Sequence, residues 1–148
     1  MSEVFHQSGG LRLIRGDESH LAWAAERIGL SQWPSDSHCL AIEGEDGTRC
    51  VVVYNLFTPT SCQAHIATNG LMNWATRGML YGIFALPFLV NNLLRINLPI
   101  AAKNKKAMKL AISLGFLPVA SVHHGADDGG IECYFGMTRN ECGWIKEV

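Results

Sequence analysis

The sequence predicts an α+β domain, a sheet with helices packed on it, and three stretches carry that prediction. Leu94, Ile96, Leu98 and Ile100 alternate with Arg95, Asn97 and Pro99, the period-two pattern of a strand. Two further strand-like runs, residues 39–43 and 49–57, flank a Gly44-Glu45-Asp46-Gly47 turn signal and read as an antiparallel hairpin. Residues 103–116, KNKKAMKLAISLGF, form an amphipathic helix with Asn104 as N-cap and one stripe of Ala107, Leu110, Ala111 and Leu114. Gly115 ends that helix in a left-handed turn that lets Phe116 fold back.

The remaining elements follow in order. Residues 11–15 suit a strand, and Asp17 suits the N-cap of a helix whose Leu21, Ala25 and Ile28 share one face before Gly29 closes it. Residues 31–36, with Trp33 and Pro34, read as a loop. Past the hairpin, Thr58, Pro59 and Thr60 make a turn into a strand over 62–68. That strand puts Gln63, His65 and Ala67 on one face and Cys62, Ala64 and Ile66 on the other, and Asn69-Gly70 breaks it. Residues 73–90 are apolar nearly all round, as in a helix buried on a sheet, with Pro87 disturbing its last turn. Pro99 has no N–H to give a ladder, so its strand is expected to be unpaired on one side near its end. Two last strands, 117–123 and 131–138, flank the turn-rich residues 125–130.

A chain of 148 residues, 48% of them hydrophobic, suits a single domain over residues 1–148 with a real core. A net charge of -1 argues against a nucleic-acid surface, although Lys103, Lys105, Lys106 and Lys109 crowd one helix N-terminus, where the helix dipole disfavours cations and invites an anion. Five cysteines without zinc spacing are expected to be reduced thiols, and no metal site is expected; His123-His124 lacks further ligands. The apolar run 79–90 is too short to cross a bilayer, and no export signal precedes an apolar segment, so a cytoplasmic protein is expected.

His65-Ile66, Trp74 to Arg77, Pro87-Phe88, Asn104, Leu114-Gly115-Phe116 and Gly136-Met137-Thr138-Arg139 with Glu141-Cys142 and Trp144 resemble the GNAT N-acetyltransferase superfamily, in particular its bacteriophage and prophage members. The resemblance implies a three-layer sandwich: a mixed, mostly antiparallel sheet with helices on both faces. Its central strands, here 61–68 and 94–100, would splay apart to admit acetyl-CoA. It also implies transfer of an acetyl group to a primary amine, on a small molecule or a protein. A host-cytosol location and a homodimer are compatible with it, and neither nucleic acid nor membrane is implied as partner.

Residue by residue, the resemblance assigns the pyrophosphate loop to residues 77–82, with Arg77, Gly78 and Gly82 as cofactor contacts. Leu80 stands there where the family has a glycine. A backbone amide near Ile66 or Ala67 would meet the thioester oxygen, Asn104 would face the pantetheine arm or phosphates of CoA, and Lys103, Lys105 or Lys106 would pair with a CoA phosphate. His65 is the candidate base, because imidazole ordinarily titrates near neutral pH. Ala111 occupies the place of the tyrosine that protonates the departing thiolate in many members. Asp127, Asp128 and Glu132 fall beside the acceptor region, and the Asp127-Asp128-Gly129-Gly130 turn is equally explained by turn chemistry. Leu80 and Ala111 motivate an alternative, a catalytically degenerate member serving as a binding or virion-associated component.

Overall fold

Eight strands join in one sheet of order β1-β2-β3-β4-β5-β6-β8-β7 in the computed structural model, which describes residues 3–146. The outermost positions of the expected 1–148 domain, residues 1, 2, 147 and 148, lie outside the described residues. The strands are β1 Val4–Ser8, β2 Leu11–Arg15, β3 His38–Gly44, β4 Gly47–Asn55, β5 Ser61–Thr68, β6 Arg95–Ala101, β7 Leu117–Val122 and β8 Glu132–Thr138. The helices are α1 Glu18–Ile28, α2 Arg77–Ala85 and α3 Lys105–Leu114. Every neighbouring strand pair is antiparallel except β5 and β6. The α+β class and the mixed, mostly antiparallel sheet with helices on both faces are therefore what the chain forms.

Strand alternation divides the apolar residues between two layers. One face carries Leu13, Leu40, Ile42, Val52, Cys62, Ile96, Leu98 and Phe135 and is covered by α2 and α3 through Met79, Ile83, Phe84, Ala111 and Leu114. The other carries Ile14, Cys39, Ala41, Val51, Val53 and Ala67 and is covered by α1 and Trp33. Burying a large aliphatic or aromatic side chain contributes about 1.5–3 kcal/mol, so the first and larger core dominates stability.

Three local expectations change. β1 was not anticipated, because its VFHQS sequence is largely exposed and lacks a continuous apolar face. In α1 the buried residues are His20 and Ala24 rather than a Leu21, Ala25, Ile28 stripe, and Ile28 is 36% exposed. The helix is rotated because His20 accepts from the Asp17 amide through Nδ1 at 3.0 Å and meets Glu43 through Nε2 at 3.2 Å. α2 starts at Arg77 instead of residue 73, since Thr76 caps the Met79 amide and the buried Trp74 indole donates to the Leu71 carbonyl, holding that segment as a loop.

Pro87 acts through the missing N–H that the sequence suggested. α2 runs into a π-helical turn, Leu86–Val90, in which the Asn91 amide reaches back five residues to Leu86. Without an N–H at Pro87, the Ile83 carbonyl loses its i+4 donor. The buried Tyr54 hydroxyl supplies a replacement at 2.6 Å.

Tyr54→Phe should therefore cost about 1–3 kcal/mol in urea unfolding, the range for leaving one buried acceptor unsatisfied. The loss should shrink in a Pro87→Ala background, whose new amide can serve Ile83. An equal loss in both backgrounds would reject this link.

Candidate active site

The central strands part where Pro99 stands. The Thr60 carbonyl accepts from the amides of Leu94 at 2.8 Å and Arg95 at 3.2 Å, and β5 and β6 then pair in parallel from Ser61 and Arg95 to Gln63 and Asn97. Alternation along the strands turns the backbone of Ala64 and Ile66 toward β6 and the nitrogen of Pro99 toward β5. Pro99 cannot donate, so the ladder ends there and the Ile66 N–H faces an opening. β6 stays fixed on its other side, paired with β8 as far as Ala101 and Glu132.

Three adjoining cavities open at this split. A slot of about 100 Å³ lies between His65 and Ile66 of β5, Leu98 to Ala101 of β6, and Ala107, Leu110 and Ala111 of α3. On one side it widens into a groove of about 580 Å³, floored by Ile66, Ala67, Leu71 and Met72 and rimmed by Arg27, Lys106 and Lys109. On the other it meets a cavity of about 270 Å³ between Gly29 and Leu30 and the turn carrying Asp127 and Asp128, with Glu132 and Lys103 on its wall.

Of the residues singled out by sequence, the structure brings together His65, Ile66 and Asn104 at the slot, and Ala67 and Lys106 at the groove. Asn104 also accepts from the Ala107 amide at 3.1 Å, so its capping role is real. Lys103 lies across the slot from the groove and pairs with Asp128 at 2.7 Å. Arg77 is exposed at the start of α2 and lines none of the three cavities. Gly78 and Gly82 face the opposite way, where an added Cβ would run into His6 and Leu13 respectively, so their small size serves packing of α2 on β1 and β2. Leu80 is 4% exposed within the larger core, and its side chain therefore does not obstruct the groove.

The 70–76 loop, rather than residues 77–82, borders the groove through Gly70, Leu71 and Met72. Its amides are partly committed: Thr68 Oγ1 accepts from Gly70, Asn69 Oδ1 from Leu71 and the Met72 carbonyl from Ala75. Positive charge at the groove comes instead from the side chains of Lys106, Lys109 and Arg27. Sequence reading did not nominate Arg27, which stands in the last turn of α1 over the Trp23 ring at 3.5 Å. Its position above a groove made by β5 and α3 exists only after folding.

Burial holds His65 neutral, with its pKa pushed down to about 4. Trp33 packs edge-on against it at 5.3 Å between ring centroids, and the Trp33 indole is pinned by donating to the Leu21 carbonyl at 2.8 Å. The expectation that this imidazole titrates near neutral pH is corrected, because burial disfavours its charged form, although the ring also lines the cavity of Asp127, Asp128 and Glu132. His65 and Asn104 are the polar side chains of the slot, and Ala111 is fully buried. Tyr81 lies on the far side of α2 beside Phe5 and His6, Tyr54 is bonded to the Ile83 carbonyl, and Tyr134 lines none of the three cavities, so none of these tyrosines stands in the slot. Burial pushes Cys39 up to about 11 and Cys62 up to about 12, which suppresses thiolate chemistry at both. Among the described residues no group of three or more His, Cys, Asp or Glu is placed to hold a metal ion. None of the described helices is long and apolar enough to cross a membrane.

Stability should record the burial of His65. Below about pH 6.5 the unfolded histidine binds a proton that the folded one refuses until about pH 4, so its contribution is present above 6.5 and lost as pH falls through that window. Between pH 7 and pH 5 the loss should be about 2 kcal/mol, and His65→Phe should remove it. Parallel urea titrations of both proteins test this; identical pH dependence would refute the buried-neutral assignment.

The chain matches no protein-family model and no curated protein. Solved structures do match its fold. A mutant of the spermidine N-acetyltransferase SpeG from Vibrio cholerae aligns over 94% of this chain and 98% of its own at 13% identity, with a TM-score of 0.73. SpeG from the same organism in complex with manganese ions aligns over 87% and 92% at 14% identity, TM-score 0.68. Ard1 from Thermoplasma volcanium aligns over 88% and 98% at 11% identity, TM-score 0.68. Together with the split between β5 and β6, these likenesses establish that the chain has the GNAT acetyltransferase fold.

Proposed function

We propose that this chain is an acetyl-CoA-dependent N-acetyltransferase for a cationic primary amine, acting as one domain across residues 1–148. The observation that carries the reading is the opening beside Pro99, with a basic groove on one side and an acidic cavity on the other. A thin pantetheine arm fits such a gap, since its amides can pair with strand backbone that lost its neighbour. The phosphates of CoA would lie toward Lys106, Lys109 and Arg27, where charge-assisted hydrogen bonds are strongest.

In this reading the amine enters from the cavity of Asp127, Asp128 and Glu132. Lys103 offsets only part of that negative charge, so a cationic substrate is favoured. The reacting ammonium first gives one proton to water; its neutral nitrogen then attacks the thioester carbonyl, and the Ile66 N–H donates to the oxygen as negative charge develops. The carbon–sulfur bond breaks, the thiolate leaves with the electron pair, and the amine gives up its proton. His65 is the base within reach of that proton, although its low basicity makes it an acceptor only after the carbon–nitrogen bond begins to form. With Ala111 in the slot, water protonates the thiolate. Because the SpeG neighbours are named for spermidine, a polyamine is the first acceptor to try.

The bacteriophage or prophage affinity and a host-cytosol setting rest on the sequence resemblance, with which a homodimer is compatible. The non-enzymatic reading shares the same fold, and the missing acid at Ala111 is what motivates it.

Thermal and denaturant unfolding with acetyl-CoA provides the test, since ligand at 100 times its Kd should add about 2.7 kcal/mol. No stabilisation at millimolar acetyl-CoA would sink the proposal, and binding without turnover of any amine would favour the degenerate reading. Lys106→Ala should weaken CoA about tenfold, whereas Lys103→Ala should leave it nearly unchanged, because that lysine is engaged by Asp128. Equal losses in the two variants, measured by calorimetry, would contradict the assigned phosphate side.

A further inference from the structure

The three cavities meet at one side chain. Among the described residues Ile28 alone lines the slot, the groove and the acidic cavity. It is the last residue of α1, and the chain reverses immediately behind it: Gly29 adopts φ 88, and the amides of Gly29 and Leu30 both return to the Ala25 carbonyl. That left-handed position suits glycine, so the reversal and the placement of Ile28 are specified together. A β-branched side chain at a helix end also has few rotamers, which makes Ile28 a stiff cover. Across the slot from α1, the wall includes Pro99, Ala101, Ala107 and Ala111, and three of these four side chains are single methyl groups.

Building on the acyl-CoA reading, we propose that Ile28 is a specificity-determining residue that limits the length of the acyl group the site accepts. An acyl group on a thioester at the strand split must extend toward the junction that Ile28 covers, because the acceptor cavity begins there. The slot, about 100 Å³, is the smallest of the three cavities described above. Acetyl places one carbon beyond the carbonyl, while butanoyl places three and must claim the space that Ile28 fills. Ile28→Ala removes three carbon atoms at a partly exposed helix end, which opens that space without emptying the core.

The experiment is calorimetric titration of wild type and Ile28→Ala with CoA, acetyl-CoA and butanoyl-CoA. The variant should improve butanoyl-CoA relative to acetyl-CoA by about tenfold, the scale of discrimination for methylene groups in an apolar pocket. Any change in affinity for CoA, which has no acyl group, should be smaller than the change in the butanoyl-to-acetyl ratio. An unchanged butanoyl-to-acetyl ratio overturns the proposal, as does an equal change for all three ligands, which would signify a general disturbance of α1. Failure of wild type to bind any of the three overturns the acyl-CoA reading itself, and the proposal with it, so the two failures are told apart.

Discussion

A single absent hydrogen-bond donor organises this molecule. Sheets cohere because each strand satisfies the backbone of its neighbours, and an interior gap between two strands is ordinarily expensive. Pro99 removes one N–H at the centre of the sheet, and the parallel pairing of β5 with β6 ends at Gln63 and Asn97. The gap persists because both strands are held from outside: β5 by β4 up to Thr68, and β6 by β8 up to Ala101. Slot, groove and acidic cavity all adjoin that gap.

The two faces then contribute differently. α2 and α3 supply the large apolar core, and the Tyr54 bond to Ile83 repairs the break that Pro87 makes in it. α1 covers a smaller core of Ile14, Cys39, two valines and three alanines and ends at the slot, so its last turn is available for contact with whatever occupies the site. Gly78 and Gly82 belong to the first task. Their missing side chains let α2 approach His6 and Leu13, which is why a glycine pattern suggestive of phosphate binding does not face the groove.

Electrostatics follow burial. His65 is buried against Trp33 and stays neutral, while the charged side chains stay at the rims, Lys106 and Lys109 at one mouth and Asp127 and Asp128 at the other. Charges at the edge of a low-dielectric slot can order a ligand without themselves paying full desolvation. Lys103 and Asp128 tie the start of α3 to the β7–β8 turn, and so close one side of the acidic cavity.

Local chemistry determined a great deal from sequence alone. The period-two strand at residues 94–100, the hairpin through Gly44 and Gly47, the Asp17 and Asn104 caps and the Gly29 and Gly115 stops are short-range effects, and each formed as read. Pro99 likewise announced an unpaired strand, because a missing N–H is a property of the residue. Tertiary structure decided what depends on the direction of a side chain in space. His20 rather than Ile28 turned inward once Glu43 and the Asp17 amide engaged it, and Leu80 entered the core once α2 settled on the sheet. Lys103 and Lys106, three positions apart, parted to opposite mouths, and Arg27 joined the groove from a distant helix. Spacing along a chain specifies an element and its faces; which face meets a ligand is set by packing between elements far apart in sequence.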